Sequence, residues 1–166
     1  MITSALLLVV LITVFNALDT VSGAQAYQTD RSQVLGDMRN VMNKMTRELR
    51  QATAVQDIPV ATQLSLTTSS ITYTTSINNA ATAVVYTASG TTLTRKVGTA
   101  AAFTVLKNLD PGNLNIFTLE RATSVTGVQW AKIDLLVNPA RRPTTVLELK
   151  SEINLRNRTS ILTGTS

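Results

Sequence analysis

The chain contains neither cysteine nor histidine. Without thiols there is no disulfide, no thiolate nucleophile and no thiolate metal ligand. Without imidazole the commonest general base near neutral pH is gone, together with the commonest transition-metal ligand. Ten carboxylates remain, but Asp19, Asp30 and Asp37 are strung along one N-terminal stretch and Glu148 and Glu152 along an alternating one. Such a spread does not converge several oxygens on a hard cation. The glycines form no phosphate-cradling spacing. The sequence therefore predicts no catalytic residue, no metal site, no cofactor and a role other than enzyme. Charge is scarce as well, and none at all occurs before Asp19.

What stands there instead is the apolar run ITSALLLVVLITVFNAL, Ile2 to Leu18. A bilayer span needs about 20 mostly apolar residues as helix, and a charge at its centre would cost roughly 3 kcal/mol. The run is predicted to be a short single membrane span, with Ile2, Leu6, Leu7, Val10, Leu11, Val14, Phe15 and Leu18 as its apolar members. The competing reading is a signal peptide cleaved after Ala26 at the small-x-small site Ala24-Gln25-Ala26, although the positive n-region is missing.

Helical periodicity continues past the run. Val34, Met38, Val41, Met42, Met45, Leu49 and Ala52 recur at steps of three and four, which puts them on one stripe. The opposite face carries Asp37, Arg39, Lys44, Arg47, Glu48 and Arg50. No proline intervenes before Pro59, where Asp57-Ile58-Pro59 supplies a stop. One helix is predicted from Ile2 to about Ala54, about 80 Å long, with a bend at Ser22-Gly23.

After Pro59 threonine and serine become dense and short alternating runs appear: Leu64 to Leu66, Ile71 to Tyr73, Ala83 to Tyr86 and Leu93 to Val97. Beta-branched and aromatic residues in alternation read as strands, with turns at Asn78-Asn79 and Ser89-Gly90. Val128 to Val137 is nearly continuously apolar and reads as a central strand covered on both faces. Leu147 to Leu155 alternates strictly, as a half-exposed antiparallel strand does. At Asp110-Pro111-Gly112 a turn is expected with positive φ at the glycine. The predicted fold class is α+β: a long N-terminal helix, part span and part amphipathic stem, packed on an antiparallel β-sheet. Its divisions are a span over 1–18, a stem over 19–54, a β-rich head over 60–158 and a tail over 159–166. Val34, Met38, Val41, Met42, Met45 and Leu49 are the residues expected to pack the stem on the sheet.

The order of apolar helix, stem MRNVMNKMTRELRQA at Met38 to Ala52, Thr-rich strands and closing strand ELKSEINLRNR at Glu148 to Arg158 resembles type IV pilin-like proteins. More narrowly, it is similar to J-type minor pseudopilins of type II secretion and to minor type IV pilins. The resemblance implies a structural subunit of a pilus or secretion pseudopilus whose N-terminal helix becomes filament core. It implies other pilin or pseudopilin subunits, an inner-membrane assembly platform and, before assembly, the membrane as partners. It also implies a single-pass cytoplasmic-membrane protein with its head outside the cytoplasm, later an extracytoplasmic filament subunit. The family's processing signal, a glycine followed by Thr-Leu and a glutamate, is absent. Met1 to Leu7 resembles the stretch just after that glutamate, so Met1 is expected to be an internal methionine.

Net charge is +5. Arg141, Arg142, Lys150, Arg156 and Arg158 form a candidate basic patch if the last two strands pair, and such a patch could contact DNA, as in a competence pilus. The bland alternative is scattered surface arginines, since no aromatic residues interleave with them. A further alternative is a secreted, adhesin-like β domain beginning at Tyr27.

Overall fold

The computed structural model of the protein describes residues 2–58, 63–77, 79–122, 127–140, 144–155 and 159–161. Helix α1, Ile2–Gln51, takes up the first fifty of these. It runs without interruption through Ser22-Gly23, so the expected bend is absent: nothing lies within 4 Å of where a Cβ on Gly23 would sit, and the surrounding residues favour helix enough to carry one glycine. It ends as Ala52 donates back to the Leu49 carbonyl and the Thr53 amide turns to the Thr74 carbonyl. Arg50 in the last turn complements the negative end of the helix dipole.

Ten strands follow: β1 Ala54–Gln56, β2 Ser65–Thr68, β3 Ser70–Ile77, β4 Ala80–Ser89, β5 Thr92–Val97, β6 Phe103–Lys107, β7 Phe117–Glu120, β8 Trp130–Val137, β9 Leu147–Asn154 and β10 Thr159–Ile161. They form two sheets, not one. The larger has the order β10-β1-β3-β4-β5-β6 and the smaller β2-β7-β8-β9. Every pairing is antiparallel except β1 with β10, where Val55 faces Ser160 in parallel register. The β3–β4 and β4–β5 hairpins turn on Asn79 (φ 62°) and Gly90 (φ 57°), left-handed positions that asparagine and glycine adopt most readily.

Two local expectations are corrected. Strand β8 is central in its sheet, but only Ala131, Ile133, Leu135 and Val137 are buried; the other face, with Lys132 and Asp134, is half exposed because no layer among the described residues covers it. Gly112 does not take positive φ: the Asp110 carboxylate accepts its amide at 3.1 Å, an Asx turn that makes a left-handed glycine unnecessary.

The core lies where the C-terminal half of α1 and the inner faces of both sheets meet. Met38 and Met45 are completely buried, Met42 and Leu49 nearly so, and Val34 and Val41 pack at the margin, so all six expected stem residues line this contact. Opposite them stand Ile71, Tyr73, Val84, Tyr86, Leu93 and Leu106 of the large sheet, and Phe117, Leu119, Ile133, Leu135 and Ile153 of the small one. Strand β9 lies against the stem, and the hydroxyls of Thr46 and Ser151 meet at 3.4 Å.

The spanning segment is overturned. Among the described residues no helix is long and apolar enough to cross a membrane. Charged positions such as Asp19, Asp30 and Arg31 follow the apolar stretch on the same helix and limit how far it extends in that direction. With it falls the basis for a single-pass membrane protein, for a membrane-anchored pilin or pseudopilin subunit, and for the localisation built on that anchor. What stands is a long N-terminal helix packed on antiparallel β-sheet.

Candidate functional site

Periodicity puts Glu48 between Met45 and Leu49 on α1, at the border of the buried stripe. Three inward-facing residues on neighbouring strands converge on it. The Tyr73 hydroxyl of β3 and the Tyr86 hydroxyl of β4 both donate to Oε2, the latter at 2.9 Å. From β5, the Arg95 guanidinium donates through Nε to Oε2 (3.2 Å) and through Nη2 to Oε1 (2.9 Å). The strand registers explain the convergence: Tyr86 lies directly opposite both Ile71 and Arg95, while Tyr73 stands two residues beyond Ile71 on the same face. The ion pair is largely removed from water, with the Arg95 and Glu48 side chains 11% and 14% exposed.

The rings of Tyr73 and Tyr86 stack at 6.2 Å, and the Arg95 guanidinium lies 5.8 Å from the Tyr86 ring and 5.9 Å from Phe103. Burial, with the adjacent Glu48 carboxylate, pushes both phenols above their ordinary pKa of 10.0. Both hydroxyls therefore stay protonated and donating through neutral pH. The cluster fixes the rotation and axial position of the stem on the sheet; its four donors are directed at one anion.

The N-terminal half of α1 has the opposite character. Leu7, Val10, Leu11, Ile12, Val14, Phe15, Leu18 and Val21 are all 46–65% exposed. Six of the eight expected span residues, Leu7, Val10, Leu11, Val14, Phe15 and Leu18, therefore project from the fold uncovered; the side chains of Ile2 and Leu6 lie outside the described residues. Hydroxyls at Thr13 and Thr20 return to the Val10 and Asn16 carbonyls, so this segment's polar groups satisfy themselves within the helix.

The basic patch is not assembled by what is described. Arg141, Arg142, Arg156 and Arg158 lie outside the described residues. Lys150 is exposed but paired, at 2.6 Å from Glu148 and 3.4 Å from Asp134, and these carboxylates raise its pKa. Lys132 pairs with Glu120 at 2.7 Å on the same face. That outer face of the small sheet is a checkerboard of both signs, which gives a phosphate backbone no uniform field. Deeper in, Arg121 donates to the Gln63 carbonyl and lies 4.0 Å from Asp57, tying the segment after β1 to the end of β7.

A groove of about 410 Å³ separates α1 from β6, walled by Asp30, Gln33, Val34 and Asp37 on one side and Thr104 to Asn108 on the other. No group of three or more acidic residues among those described is placed to hold a metal ion. Compared with protein-family models, with curated proteins and with solved structures, the chain finds no match in any of the three.

Sequence reasoning placed Glu48 on the polar face of the stem and missed its role. A signal was present: Glu48 is three residues from Met45 and seven from Val41, within the stripe rather than opposite it.

Proposed function

We propose that the chain is an interaction protein of pilin-like architecture, resembling the J-type minor pseudopilins, which joins other proteins by packing the projecting half of α1 against their helices. One observation carries this: a run of large apolar side chains from Leu7 to Val21, each about half exposed, on a helix whose C-terminal half is rigidly seated in the head. Surfaces of this extent mark interaction sites. Burying a leucine or phenylalanine side chain is worth about 1.5–3 kcal/mol, so a few such residues covered by a partner helix suffice for association. The Glu48 cluster supports the same reading, because it holds the projecting helix at a fixed angle to the head. The stem segment Met42 to Ala52 and the closing Leu155-Arg156-Asn157 support the finer family assignment.

The test is sedimentation velocity of the full chain across a concentration series, beside the double variant Leu11→Glu/Phe15→Glu. Association that weakens strongly in the variant, with the thermal unfolding of the head unchanged, is the expected outcome. Equal association in both proteins would sink the proposal.

A further inference from the structure

Strand β6 is the outer strand of the large sheet, and one of its edges pairs with no other described strand. Phe103, Thr104 and Lys107 on it are exposed, Phe103 by 47%. Above this edge runs one stripe of α1 at steps of three and four: Asp30, Gln33, Asp37, Asn40, Lys44 and Arg47. Asp30 and Asp37 stand beside Thr104 to Asn108, whereas the Lys44 ammonium lies 5.8 Å from the Phe103 ring. Asn40, Lys44 and Arg47 line one surface recess. The stripe is thus acidic at the Lys107 end of β6 and basic at the Phe103 end, with α1 running opposite to the strand.

We propose that this edge and the α1 stripe above it are a self-association surface, on which a second copy of the chain docks by antiparallel pairing of β6 with β6 about a two-fold axis near Val105. Such an axis lays the two helices side by side and antiparallel on one face of a continuous sheet. It sets Asp30 and Asp37 of each copy against Lys44 and Arg47 of the other, so each favourable contact is made twice. A parallel addition of the same edge would put the two helices on opposite faces of the sheet, where these charges could not meet. The bulge between Leu93 and Thr94 in the β5–β6 register and the charge on Lys107 discourage indiscriminate strand addition. Charge matching above the edge then selects the second copy. This surface is separate from the apolar half of α1 that carries the proposed function.

The experiment uses the full-length chain with Val105→Cys, its only thiol, under mild oxidation. Directly opposed residues in an antiparallel pair have Cα atoms about 4.5–5.5 Å apart, within disulfide reach, so a cross-linked dimer is expected. Adding Asp30→Lys/Asp37→Lys, or separately Lys44→Asp/Arg47→Asp, should lower the cross-linked fraction about tenfold, because like charges then face each other. Mixing the two charge-reversed chains, one carrying a mass tag, should restore cross-linking as a mixed dimer, which also shows that both are folded. Absent cross-linking of the Val105→Cys chain, cross-linking indifferent to the reversals, or no recovery in the mixture would each overturn the proposal. Association lost only with Leu11→Glu/Phe15→Glu would do so too, while leaving the proposed function standing.

Discussion

Removing the Glu48 carboxylate is expected to be among the most destabilising single changes available in the stem. The side chain accepts hydrogen bonds from Tyr73, Tyr86 and, through two nitrogens, Arg95, in surroundings where both charged partners are more than four-fifths covered. Glu48→Ala leaves the guanidinium without its counter-charge and two phenols without their acceptor. Breaking a buried pair in this one-sided way costs about 3–5 kcal/mol. For a chain of this size each kcal/mol lowers Tm by about 2–4 °C, so a fall of about 6–20 °C follows. Arg95→Met strands the opposite charge and should cost a similar amount. The double variant Glu48→Leu/Arg95→Met strands neither, and replacing a buried ion pair by apolar groups is often neutral. It should therefore be more stable than either single change. Urea unfolding followed by circular dichroism supplies the four corners of the cycle. If the single changes cost under about 1 kcal/mol and simply add, the cluster is not holding the stem and the reasoning fails.

Two further outcomes follow from the same geometry. Folding raises the pKa of Tyr73 and Tyr86 above 10.0 through burial and the Glu48 carboxylate, so the folded state keeps protons that the unfolded chain releases; stability is full below pH 10, declines as pH rises beyond it, and the decline should be shallower in Tyr73→Phe/Tyr86→Phe when unfolding midpoints are compared from pH 9 to 11.5. Met45→Ala empties a fully buried site between stem and sheets and should cost about 2–5 kcal/mol in urea unfolding, whereas Phe15→Ser, on the projecting half of the same helix, should change head stability by less than about 0.5 kcal/mol.

The stem and the closing strand were legible in the sequence because each has one buried face and one solvated face. Met38, Met42, Met45 and Leu49 announce a period of 3.6, and Leu147 to Leu155 a period of 2. Strands β1, β6 and β7 were not legible: Ala54–Gln56 merges with the helical pattern before it, and Phe103–Lys107 and Phe117–Glu120 are too short to establish alternation. The division into two sheets depends on which strands pair, and pairing partners leave no local signature. The apolar run was legible as apolar but misread as a span, since among the described residues no helix is long and apolar enough to cross a membrane. Glu48 was missed because its partners lie 25, 38 and 47 residues away along the chain.

The contact between the stem and β9 has a consequence for how the protein is made. Thr46 meets Ser151, which lies 105 positions further along the chain. At a synthesis rate of about 5–20 residues per second, the stem emerges about 5–20 s before the strand that covers its flank. Throughout that interval the flank of the stem that β9 will cover faces solvent or whatever else binds an apolar helix, even as the earlier strands arrive. The newborn chain is thus most exposed to misassembly just before β9 arrives, and a helix-binding chaperone would have its longest opportunity there.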